Sequence, residues 1–227
     1  MGFRRWSIAG LTALLIAGGS QAGKPTLPVP GSQLGVIGVQ VKAKGPTAIS
    51  APSNARWVFF VKVEEDGDML RATEIIPSNY TSKKQVFLLN AEPGRYVAVA
   101  AFVEADVSLP SSNVYFAGEM IPGTEVSLKA GQAVFMGKIV VKVKAGMKKA
   151  DEAQAHYAKL IGSGIGFAEG EHSSFIAISH ITRAAEFKEL AKDVNIERDF
   201  WARAADKAFK SAPLWQETVH QQLASLK

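Results

Sequence analysis

Residues 84–104 read KQVFLLNAEPGRYVAVAAFVE, and this stretch sets the fold class. Lys84 to Asn90 forms one extended run, and Ala91-Glu92-Pro93-Gly94 supplies a tight turn. In Arg95 to Glu104, Tyr96, Ala98, Ala100 and Phe102 alternate with Val97, Val99 and Ala101, a strand apolar on both sides and so central in its sheet. The same period of two extends in both directions. Ile37, Val39, Val41 and Ala43 face one way while Gly38, Gln40, Lys42 and Lys44 face the other, and Trp57, Phe59, Val61 and Val63 repeat the pattern. Glu64-Glu65-Asp66-Gly67-Asp68 turns the chain back into Met69 to Ile76, a hairpin whose Asp-Gly step tolerates positive φ. Asn113–Glu119, Thr124–Lys129 and Ala133–Lys144 complete seven or eight strands, divided by Pro122-Gly123 and Ala130-Gly131.

Short strands with turns between them and no intervening helices predict an antiparallel, Ig-like β-sandwich over residues 34–146. Trp57, in mid-strand with Phe59 and Val61, is expected between the sheets. From Met147 the spacing turns helical. Ala150, Ala153, Tyr157, Leu160 and Ile161 share a face until Gly162, Gly164 and Gly166 interrupt it. A second helix is read over about Ser174 to Lys192, although Phe175–His180 also fits a short strand. Asn195 is read as the N-cap of a third helix, and Pro213 as the first turn of a fourth. Residues 147–227 are therefore expected as an amphipathic helical segment, part of one folded unit with the sandwich because its apolar stripes need cover.

The runs Leu89-Asn90-Ala91-Glu92-Pro93-Gly94-Arg95-Tyr96-Val97-Ala98-Val99 and Val126-Ser127-Leu128-Lys129-Ala130-Gly131-Gln132-Ala133-Val134-Phe135-Met136-Gly137 resemble strand pairs of prealbumin-like, carboxypeptidase-regulatory-like β-sandwiches of exported bacterial proteins. The resemblance covers about residues 34–146. It implies a sandwich with a binding or structural role and carries over no catalytic residue.

The N-terminus reads as an export signal. Arg4 and Arg5 precede an apolar run from Ile8 to Ala17, and Ser20 and Ala22 are small residues at a cleavage point. Residues 1–22 are thus expected to be removed, leaving a periplasmic or extracellular chain from about Gly23 with no transmembrane span, since the run is too short to cross a bilayer. Residues 23–33 hold three prolines and read as an extended leader. Removing the signal lowers the formal charge from +5 to +3, and the remaining cations are spread along the chain. Only Lys138, Lys142, Lys144, Lys148 and Lys149 come near a basic stripe, so no nucleic-acid partner is expected. The chain has no cysteine, which excludes thiolate catalysis, thiolate metal sites and disulfides.

The remaining chemistry is thin. Glu169, Glu171, His172 and His180 form the best metal candidate, yet they lack the i, i+4 spacing by which a helix locks a ligand pair. The acidic turn 64–68 lacks the alternating ligands of a calcium loop. Gly162-Ser163-Gly164-Ile165-Gly166 follows a helix, with no Lys-Ser/Thr sequel, and reads as a hinge or helix stop. The aromatics Trp57, Phe59, Phe60, Phe87, Tyr96, Tyr115, Phe116 and Phe135 read as core before they read as a sugar-stacking platform. The expectation is a non-enzymatic binding or envelope-interaction module without cofactor. Its partner would be another envelope protein, or a second copy met through the C-terminal helices. The rival is a metal-binding or hydrolytic protein with its site where helices and sandwich join.

Overall fold

The computed structural model describes residues 27–46, 52–66, 69–103, 112–116, 118–146, 165–167 and 182–226. Among the described residues there are eleven strands: β1 (Gly35–Lys44), β2 (Ser53–Asp66), β3 (Met69–Pro77), β4 (Tyr80–Ser82), β5 (Gln85–Ala91), β6 (Gly94–Val103), β7 (Ser112–Tyr115), β8 (Val126–Leu128), β9 (Ala133–Val143), β10 (Ile165–Phe167) and β11 (Thr182–Ala191). Two helices follow, α1 (Val194–Arg203) and α2 (Pro213–Ser225). Among the described residues no helix is long and apolar enough to cross a membrane.

The strands do not make the expected antiparallel sandwich. Six of them close into a mixed β-barrel in the order β1-β2-β6-β7-β11-β9. Four contacts of the ring are antiparallel, but β1 runs parallel to β9 and β7 parallel to β11. Parallel neighbours need a long connection between them, and alternation along a single strand carries no sign of which way its neighbour runs. The second departure is β11. Its sequence, Thr-Arg-Ala-Ala-Glu-Phe-Lys-Glu-Leu-Ala, is rich in helix formers, and the segment was expected to be helical. Here β7 and β9 each offer a free edge, and the ladder formed with both outweighs a propensity difference of a few tenths of a kcal/mol per residue. Ile165 and Gly166, read as part of a hinge or helix stop, belong instead to β10, which pairs with β3.

At the seam, β1 and β2 meet only at Lys42↔Asn54 and Ala43↔Ser53. Beyond that point they part. β5 and β4 extend the sheet from β1, and β3 and β10 extend it from β2. The interior is filled by residues such as Ile37, Val39, Val41, Val61, Val97, Ile139 and Val141, all fully buried. On β9 an extra residue at Met136–Gly137 shifts the register against β1 between Gly38 and Val39. Gly137 has φ +126, open to glycine alone, and a Cβ there would also meet Leu190 of β11.

A second apolar cluster lies outside the barrel. α1, a single π-helical turn (Ala204–Ala208) and α2 pack Phe200, Trp201, Phe209, Trp215 and Val219 onto Val36, Phe87, Leu89, Ala133 and Phe135. The barrel and the helices are thus one packed unit. Asp193, not Asn195, caps α1, accepting from the N–H groups of Asn195 and Ile196, while Pro213 opens α2 as read. Part of the leader is docked too. The indole N–H of Trp215 donates to Pro28 O (2.6 Å), and the side chain of Asn90 bonds both Gly31 N (2.9 Å) and Val29 O (3.0 Å).

Candidate functional site: a basic groove under the first helix

Side-chain volume on one face of β1 decides where α1 touches the barrel and where it stands off. At Gly38 the helix comes so close that any Cβ would collide with Phe200 and Trp201. Two and four residues along the same face stand Gln40 and Lys42, and there a groove of about 460 Å³ opens. Gln40, Lys42 and Lys138 of β9 line it from the barrel. The turn Ser82-Lys83-Lys84-Gln85 between β4 and β5 contributes a second side. The third is a helical stripe, Ile196, Asp199, Phe200, Arg203 and Lys207, with the i, i+3, i+4 spacing of a single face.

The two walls are tied together. The buried Gln85 amide donates to Phe200 O (2.7 Å), and the Tyr80 hydroxyl donates to Ala208 O (2.7 Å), a carbonyl at the end of the π-helical turn. Burial raises the pKa of Tyr80 above its ordinary value, with a hydrogen bond from Ser82 opposing, so the hydroxyl keeps its proton for that bond. Lys83 has φ +55, a left-handed conformation that usually falls to Gly or Asn in a two-residue hairpin turn. In this tight turn both Lys83 and Lys84 line the groove.

The charge is lopsided. Six cations, Lys42, Lys83, Lys84, Lys138, Arg203 and Lys207, line the groove together with one carboxylate, Asp199. Asp199 pairs with Arg203 (3.3 Å), and Lys138 reaches Glu189 (3.5 Å). Among the described residues, Lys42, Lys83, Lys84 and Lys207 have no ion-pair partner. A sphere of this volume is about 10 Å across, close to the screening length at 0.1 M salt, so the cations act on one another and jointly on whatever enters.

The spread of cations along the sequence therefore becomes a cluster through folding. Of the five lysines of the sequence stripe only Lys138 lines the groove. Lys142 is exposed on β9, Lys144 pairs with Glu186 (3.5 Å), and Lys148 and Lys149 lie outside the described residues. The usable signals were the outward parity of Lys42, the Lys83-Lys84 pair, and Arg203 with Lys207 at i, i+4.

The other candidates fare as follows. Glu169, Glu171, His172 and His180 lie outside the described residues, among which no group of three or more potential metal ligands converges. In the acidic turn, Glu65 pairs with Arg95 (2.5 Å), whose other partner Glu125 lies at 2.8 Å, and these bonds hold the guanidinium pKa above its usual value. Phe59, Phe60, Phe87, Tyr96, Tyr115, Phe116 and Phe135 are buried as read. Trp57 is not. It is 43% exposed and lies against Phe102 (centroids 4.9 Å, 32°), because register shifts at 55/57 and 59/60 against β6 break the strict alternation. No protein-family model, curated protein or solved structure matches the chain, and nothing identifies it with the prealbumin-like family that its turns resemble.

Proposed function

We propose that the mature chain is an exported, non-enzymatic binding module and that the groove beneath α1 holds its ligand, an anion. One observation carries the reading: six cations against one carboxylate around about 460 Å³ of space, the size range of small-molecule sites. Like charges gathered on facing walls repel, so an anion between them gains attraction and relieves repulsion together. The helices turn their large aromatics toward the barrel, which favours the groove over those helices as the point of contact with a partner.

Titration calorimetry on residues 23–227 tests it. Anion binding is expected to weaken as salt rises, to vanish in Lys42→Glu/Lys84→Glu/Lys207→Glu, and to persist in Lys142→Glu. Equal binding by the triple variant and the parent would sink the groove reading. The export half is read separately, by mass spectrometry of protein from the cell envelope, where the N-terminus should fall near Gly23; intact Met1 would refute it.

A further inference from the structure

We infer that the groove takes a compact organic ligand carrying at least two phosphate-type groups, such as a diphosphate or a bisphosphorylated sugar or headgroup. This rests on the anion-binding reading and narrows it. The cations fall into sets on different sides of the space. Lys83 and Lys84 stand on the turn, Arg203 and Lys207 on the helix, and Lys42 and Lys138 between them on the barrel. With Asp199 counted, the lining charge is +5, which one phosphate dianion leaves largely unbalanced and two nearly neutralise. Phosphate suits the donors. Arg203 offers a planar fork for paired oxygens, and lysines act as point charges at a short turn. Ile196, on the same helical stripe and only half-buried, gives the organic body an apolar surface.

A polyanionic polymer makes different demands. Duplex backbones are followed by basic stripes along an open face. Here the cations surround a space walled by a helix on one side and a hairpin turn on the other. The left-handed Lys83 belongs to the same picture. A non-glycine residue persists in that conformation where its surroundings impose it, and such positions gather at binding sites. Asp199 works against the anion while holding Arg203, which makes it a second handle on the site.

The test is calorimetry on residues 23–227 with inorganic phosphate, pyrophosphate, fructose 1,6-bisphosphate, vesicles containing a phosphatidylinositol bisphosphate, heparin and duplex DNA, all at one ionic strength. Pyrophosphate or the bisphosphate should bind at least about tenfold tighter than phosphate. Lys83→Gly and Arg203→Ala should each weaken that binding about tenfold, and Asp199→Asn should strengthen it. Lys83→Gly keeps the falsification clean, because glycine accepts the turn and the melting temperature should not fall. Vesicles outcompeting pyrophosphate, with the same variant pattern, support the headgroup form of the ligand. Equal affinity for phosphate and pyrophosphate overturns the two-phosphate inference while leaving an anion groove in place. Heparin or DNA binding tighter than every compact probe, and lost in the same variants, also overturns it. Binding of no probe, or binding indifferent to Lys83 and Arg203, overturns the groove reading itself.

Discussion

A single residue shows how much burial turns on register. The run Trp57, Phe59, Val61, Val63 has the period of a half-buried strand, yet Val58, Phe59, Phe60 and Val61 are all buried while Trp57 is half outside. The composition of the strand was legible; its bulges were not, because a bulge depends on the partner strand. Trp57→Ala is therefore expected to cost about 1 kcal/mol or less, chiefly the contact with Phe102, and to shift Tm by only a few degrees. Trp201→Ala, emptying a fully buried site under α1, should cost about 3–5 kcal/mol. Thermal melts of the two variants check the pair, and a larger loss at Trp57 would contradict the exposure described. Gly38→Ala belongs with them. The added methyl has no room against Phe200 and Trp201, so a loss of about 1–3 kcal/mol is expected.

At the scale of elements, most strands and the final helix were readable because turns and periodicity are local. β11 was not, since its helix-forming residues become a strand only once two edges wait for it. The groove was equally hidden, its cations coming from β1, the β4–β5 turn, β9, α1 and the π-helical turn, and meeting only after these elements pack. Two side-chain bonds then join the turn to the helical layer. Gln85→Ala and Tyr80→Phe each remove one of them, and about 1 kcal/mol apiece is the expected loss. Hydrogen exchange places the effect: amides of α1 and α2 should lose protection while those of β6 and β9 keep it. Uniform loss across the barrel would show that the helical layer and the barrel open as one.

For the whole molecule, surface ion pairs set a modest acid limb. The Glu92 carboxyl is held below its usual pKa of 4.5 by a hydrogen bond and charge from Lys62, and Glu186 is held down by Lys188 and then Lys144. A carboxylate whose pKa is lower folded than unfolded adds stability above the unfolded value, lost as pH falls through the folded one. Both groups are exposed, so the effect is small and salt-sensitive. Tm should decline as pH drops from about 4.5, and less so in Lys62→Met; a Tm that rises over this range would contradict the pairing. The ring itself has a consequence in time. β7 and β9 never pair with each other, and the strand that joins them begins at residue 182 of 227, so on the ribosome the first 180 residues emerge with the circle still open. Two unpaired edges would lie bare until nearly the whole chain exists, so closure of the ring waits on the end of synthesis. A fragment ending at residue 181 should accordingly fail to melt cooperatively, and addition of a peptide spanning 182–191 should restore a transition.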